Sequence, residues 1–152
     1  MEFDNLMYSV GTEWLVEASG CREEALRDDG LLRGLLTRIV AELDLRPVGE
    51  MLLHKFPEPG GVTALVLLSE SHLACHTYPE YGVATFNLYC CRTRPLWPWA
   101  ERLAEMLSAG RVTVRMMERT VHAVENAPEI EALSNSSLTS DDPAPLVLLK
   151  TP

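Results

Sequence analysis

The stretch Leu68-Ser69-Glu70-Ser71-His72-Leu73-Ala74-Cys75-His76-Thr77-Tyr78-Pro79-Glu80-Tyr81-Gly82 decides how this chain is read. An apolar run, Thr63 to Leu68, leads into it and reads as a central strand. Tyr78-Pro79-Glu80-Tyr81-Gly82 then turns the chain, and Val83 to Cys91 leaves as a further strand. Within these fifteen residues stand two serines, two histidines, a cysteine and two carboxylates. A strand that ends in so many reactive groups has chemistry to serve. Ser71 follows Glu70 and precedes His72, and His76 lies five residues further on, so a serine hydroxyl has histidine help nearby.

Outward from this segment the pattern is regular. Val10 to Ala18 reads as a strand, and Gly20-Cys21 turns the chain. Leu32, Leu35, Leu36, Ile39, Val40 and Leu43 fall at helical spacing and predict a helix over Arg22 to Leu43. Gly30 and Gly34 weaken its early part, so the regular portion starts near Leu31, and Pro47 ends it. Met51 to Phe56 reads as a strand, followed by the loop Pro57-Glu58-Pro59-Gly60-Gly61. Pro98 fits the first helical position of a helix reaching Ala109, with Gly110 as its stop. Val112, Val114 and Met116 alternate with Arg111, Thr113 and Arg115 as in a half-exposed strand.

This order of elements predicts an α+β fold: a two-layer sandwich, with an antiparallel sheet carrying two helices on one face. The other face then lacks a cover, which a symmetric dimer stacking two sheets would supply. Residues 1–126 read as one domain and residues 127–152 as an acidic, polar C-terminal tail. Ser134 to Pro145 is rich in Ser, Asn, Asp and Pro, and Leu146 to Leu149 is a short apolar patch.

At 47% hydrophobic the 152-residue chain can bury a core, yet no apolar run approaches the roughly 20 residues that span a bilayer. Met1-Glu2-Phe3-Asp4-Asn5 carries acids where a signal peptide carries bases. The net charge of −9 argues against nucleic acid and against an anionic membrane as partner, and suits a cationic substrate. Cys21, Cys75, Cys90 and Cys91 do not form a disulfide framework, which points to a reducing cytoplasm. Paired C-x-x-C knuckles are missing, so no metal site is expected.

The central segment resembles the self-cleavage site of the bacterial S-adenosylmethionine decarboxylase proenzymes. The likeness rests on Gly61-Val62-Thr63, Ser69-Glu70-Ser71-His72, His76-Thr77-Tyr78-Pro79-Glu80-Tyr81-Gly82 and Cys91, with weaker echoes at Gly11 and Gly20-Cys21. It covers roughly Val10 to Thr120. The resemblance implies cleavage between Glu70 and Ser71, with Ser71 converted to a pyruvoyl cofactor whose ketone condenses with a substrate amine. His76 then matches the processing histidine, and Thr63 stands where a processing hydroxyl, usually serine, is found. Cys91 matches the proton donor, and Glu80 the ribose-binding glutamate. Phe56 and Tyr78 are candidates for stacking on adenine and facing a sulfonium cation. The implied activity is decarboxylation of S-adenosylmethionine for spermidine synthesis, by a homodimer of processed protomers.

The chain departs from the pattern at several points. Asn87 stands where many relatives carry aspartate, Cys90 and Arg92 flank Cys91 in place of threonine and glycine, and Tyr78 replaces a frequent tryptophan. These departures leave two alternatives: a pyruvoyl decarboxylase acting on ornithine or arginine, and a non-catalytic paralogue that binds a partner subunit. Strict alternation also puts Ser71 and His76 on opposite faces of one strand, so a bulge or break is expected between them, or His76 serves another part of the site.

Overall fold

The structure is a computed structural model that describes residues 7–122, 130–132 and 147–149. Residues 9–120 form one compact unit. Its chain order is β1 (Met7–Ser19), α1 (Glu23–Arg27), α2 (Asp29–Glu42), β2 (Leu52–Lys55), β3 (Val62–Leu68), β4 (Ser71–Tyr78), a 3-10 turn (Pro79–Tyr81), β5 (Val83–Cys90), α3 (Trp99–Leu107) and β6 (Arg111–His122). The six strands make one sheet in the order β2-β3-β4-β5-β1-β6. Its β2–β3, β3–β4, β4–β5 and β5–β1 pairs are antiparallel. A separate unit contains β7 (Ile130–Ala132) paired antiparallel with β8 (Val147–Leu149), which takes in most of the apolar patch read at Leu146–Leu149. The domain boundary expected at residue 126 and the polar segment Ser134–Pro145 lie outside the described residues.

Alternation along the strands builds the core. In β3, Val62, Ala64, Val66 and Leu68 are buried, while Leu65 and Leu67 face away. In β5 the buried set is Ala84, Phe86, Leu88 and Cys90. Against this face pack Leu32, Leu35, Leu36 and Ile39 of α2 and Trp99, Leu103 and Leu107 of α3. Each such leucine removed from water contributes about 1.5–3 kcal/mol, so the packing of the helices on this face stabilises the fold substantially. The expected sandwich is present, with its helices on one face.

The helix expected over Arg22–Leu43 is two helices, because Asp28 leaves the helical region (φ −84°, ψ 95°) and its carboxylate accepts from the Leu31 amide at 2.9 Å. That is an N-cap, so the second helix starts cleanly despite Gly30. The short α1 is tied to the sheet by Thr77. Its buried hydroxyl donates to the Leu26 carbonyl at 2.8 Å and accepts from the Val62 amide at 2.9 Å. Pro98 caps α3 rather than opening its first turn. Ser108, at φ 58°, takes the left-handed position expected of Gly110, whose amide instead donates to the Ser19 carbonyl. β1 and β6 run beyond the expected spans.

Candidate active site

The β3–β4 hairpin carries two distinct clusters, one at each end. The first lies at the turn. Ser71 opens β4 at φ 152°, a backbone conformation that side-chain-bearing residues rarely adopt. Such a residue stores about 1–3 kcal/mol of strain. The carbonyl oxygen of the preceding residue, Glu70, accepts from the Cys91 amide at 2.9 Å. Ser71 and Cys90 are cross-strand partners, which brings the end of β5 to this point. Gly11 presses on the same spot from β1: a Cβ there would sit 2.6 Å from the Cys90 carbonyl oxygen, so only glycine fits.

The two neighbouring cysteines differ sharply. Cys90 points into the core, where burial first, and then the Glu70 charge, push its thiol up to about 11. Cys91 is exposed beside the Glu70 carbonyl. Of the pair, Cys91 is therefore the one a bound molecule can reach. Cys75 is sealed under the sheet and pushed up to about 12 by burial alone.

The second cluster lies at the other end of the hairpin. Thr63 and His76 are cross-strand partners, and the threonine Oγ1 lies 3.0 Å from His76 Nδ1. They line a cavity of about 440 Å³ together with Phe56, Tyr78 and Glu80. Five residues named from the sequence thus meet in one pocket, of a size that suits a small molecule. Pro57, Glu58 and Pro59 form its rim. Arg27 shapes that rim by donating from Nε to the Pro59 carbonyl at 2.6 Å. Gly61 lines the wall, where a Cβ would meet the Thr77 carbonyl oxygen at 2.6 Å.

What the structure does not do is bring the two clusters together. Ser71 pairs near the turn with Leu68, whereas His76 pairs with Thr63. Five positions along a strand span about 17 Å. The bulge expected between Ser71 and His76 is absent: β4 pairs without interruption from Ser71 to Tyr78, so the two residues stay on opposite faces of the strand and His76 serves a different part of the site, while the unusual φ lies at Ser71 itself.

A profile of the S-adenosylmethionine decarboxylase family matches residues 12–120. The chain belongs to this family. Its relatives include the S-adenosylmethionine decarboxylase proenzyme of Syntrophomonas wolfei, 37% identical over 115 residues that cover 74% of this chain and 89% of the relative. The proenzyme of the same name from Carboxydothermus hydrogenoformans is 33% identical over 129 residues, covering 84% and 99%. Among solved structures, the adenosylmethionine decarboxylase of Aquifex aeolicus superposes with a TM-score of 0.63 at 25% identity, over 80% of this chain and 98% of that one.

This decarboxylase-family chain also joins His72 and Asn87 to two residues that sequence reasoning passed over, Glu13 and Arg119. On the open face next to Ser71, His72 Nε2 lies 2.7 Å from Asn87 Oδ1. Asn87 donates to Glu13 Oε1 at 2.7 Å, and Arg119 pairs with Glu13 Oε2 at 2.7 Å. The Asn87 and Arg119 bonds hold the Glu13 carboxyl below the usual carboxylate range. The departure at Asn87 is therefore compensated locally: its amide both accepts and donates, linking β4 to β1, where an aspartate would set a second acid against Glu13. The alternating pattern of β1 put Glu13 on the open face, but nothing in the sequence linked it to Asn87. Among the described residues no helix is long and apolar enough to cross a membrane.

Proposed function

We propose that this chain cleaves itself between Glu70 and Ser71 to form a pyruvoyl group, and then decarboxylates S-adenosylmethionine for polyamine synthesis. The carbon–carbon lyase chemistry is that of its family. The observation that carries the reading is the Glu70 carbonyl, held by the Cys91 amide next to a serine at strained φ. The Ser71 Oγ attacks that carbonyl carbon, a C–O bond forms, and the C–N bond breaks as the amine takes a proton. Negative charge develops on the Glu70 oxygen, where the Cys91 N–H already points. Relief of strain at Ser71 favours the shift. Loss of the serine Cα proton then expels the Glu70 carboxylate from Cβ, and water converts the dehydroalanine to the ketone and ammonia.

Ser71 and its neighbours fit the group they would carry. The pyruvoyl group, once present, withdraws electrons as the substrate loses carbon dioxide. Cys91, exposed beside the Glu70 carbonyl, would deliver the proton that the substrate α-carbon takes up. In the pocket, Glu80 would accept from ribose hydroxyls, and the rings of Phe56 and Tyr78 would offer faces to adenine and to a sulfonium. Ornithine or arginine would leave these aromatic walls unused, which favours S-adenosylmethionine. Four free thiols suit a reducing cytoplasm.

The separation of the two clusters supports a homodimer. Leu65 and Leu67 are 40% and 55% exposed on the sheet face opposite the helices, and Leu52, paired with Leu65, is 68% exposed. Burying such a face against a second copy removes apolar area from water. A two-fold axis between the sheets and perpendicular to the strands lays the turn of one protomer over the partner's pocket. Ser71 and Cys91 of one chain then work with Thr63, His76, Phe56, Tyr78 and Glu80 of the other.

Co-expression tests this arrangement. Ser71→Ala and His76→Ala chains each lack one half, but a mixed dimer has one complete site. The His76→Ala chain should then be cleaved in the mixture and not alone. Failure to cleave in purified mixed dimers would remove the shared site.

A further inference from the structure

Glu70 enters the proposed cleavage only through its main chain, yet its side chain is one of two buried polar or charged side chains among the described residues. Its Oε1 accepts from the Arg46 amide at 2.6 Å, and Oε2 accepts from the Ser69 hydroxyl at 2.7 Å. The Ser69 amide donates back to the Arg46 carbonyl at 2.9 Å. Just beyond, the Val48 amide donates to the Leu67 carbonyl at 2.8 Å, and Pro47 bridges to Leu68. The segment between α2 and β2 is therefore a strap laid along the end of β3, and the Glu70 carboxylate is its terminal fastening.

We infer that the Glu70 carboxylate is a positioning residue for self-cleavage: by fastening the turn to the Arg46–Val48 strap, it holds its own carbonyl on the Cys91 amide and keeps Ser71 in its strained conformation. The inference rests on the proposed self-cleavage. A residue at positive φ relaxes unless its neighbours over-determine it. On the C-terminal side Ser71 is fixed by pairing with Cys90 and Leu68. On the N-terminal side Glu70 makes no strand pairing of its own, being outside β3 and β4. Its side-chain bonds to Arg46 and Ser69, with the Cys91 contact, are what restrain it. A carboxylate with two acceptor oxygens can hold an amide and a hydroxyl at once. The side chain touches no reacting atom and acts through the backbone it anchors.

The test follows cleavage of newly synthesised full-length chain with time, together with the melting temperature of each substitution placed on uncleavable Ser71→Ala protein. Glu70→Ala should slow cleavage roughly ten- to hundred-fold, the range of one lost buried hydrogen-bonded anchor. Glu70→Gln keeps an acceptor for Arg46 and can donate to Ser69, so its cleavage should stay within roughly three-fold of wild type. Ser69→Ala should slow cleavage even where the Ser69→Ala, Ser71→Ala protein is still fully folded at the assay temperature, which loss of a purely stabilising side chain would not do. Hydroxylamine, which breaks esters, should not speed fragmentation of Glu70→Ala, because the block precedes ester formation. Wild-type cleavage with an equally fast Glu70→Ala chain overturns the anchor and leaves self-cleavage standing. A wild-type chain that never cleaves overturns both. If Glu70→Ala does not fold, Ser69→Ala decides: cleavage at the wild-type rate overturns the anchor.

Discussion

The two ends of the β3–β4 hairpin are built on opposite plans. The turn end is made of backbone: a carbonyl, two amides, a strained serine and a glycine that lets β1 come close. The pocket end is made of side chains around an open cavity, with Phe56 half exposed and Tyr78 41% exposed. The difference teaches where tolerance lies. A backbone device fails when its geometry moves by fractions of an ångström, whereas a side-chain pocket can exchange one aromatic or hydroxyl for another.

The largest expected effect breaks the turn end outright. Wild type should yield fragments of 70 and 82 residues, the second blocked to Edman sequencing, while Ser71→Ala remains a single chain without decarboxylase activity. Full-length wild-type protein after long incubation would end the pyruvoyl reading. Next comes the division of labour around Ser71. Cys91→Ala should still cleave, since its backbone amide remains, but should lose decarboxylation by roughly 10²–10⁴-fold. Equal loss of cleavage in Cys91→Ala and His76→Ala would show that the two roles are not separate.

The pocket end should respond more mildly. Glu80→Gln should weaken use of S-adenosylmethionine by roughly 1–3 kcal/mol, the range for a charge-assisted hydrogen bond. Phe56→Ala should raise KM and leave self-cleavage intact. Turnover of ornithine or arginine with none of S-adenosylmethionine would reassign the pocket without touching Ser71.

The smallest effect is a pH dependence at the turn. Burial pulls the Glu70 carboxyl upward, but the Ser69 hydroxyl, the Arg46 amide and the charges of Arg94 and Arg46 outweigh it and hold the group low. A folded-state value below the unfolded one means stability that is present above the ordinary carboxylate range, near pH 4.3 for glutamate, and is lost as pH falls further. Acid titration of Ser71→Ala protein should therefore show a loss that Glu70→Gln reduces.

Much of this molecule was legible in its sequence, for identifiable reasons. Alternation in β3 and β5 and the leucine spacing in α2 report which side of an element meets the core, and that information resides in side chains. The family pattern also pointed to Thr63, His76 and Glu80, and the need for stacking aromatics to Phe56 and Tyr78, all of which line the same cavity. The break at Asp28 was not read, because glycine looked like the weak point. Gly34 sits in the middle of α2 with nothing within 4 Å of its missing Cβ, while the true boundary is set by a capping carboxylate. The Glu70 fastening was hidden for a different reason. Its main partner is the amide of Arg46, 24 residues away, and a backbone amide has no letter in the alphabet. Likewise, residue order alone could not reveal that Ser71 and His76 belong to opposite ends of one hairpin.

The strand order carries one more consequence for a cut at Ser71. The fragment before the cut would own β1, β2 and β3, and the fragment after it β4, β5 and β6. In the sheet they alternate, so that β3 lies against β4, β5 against β1, and β1 against β6. The two pieces are laced through one another like fingers of folded hands. Severing one peptide bond frees a reactive end at the turn while every seam that joins the halves stays sewn.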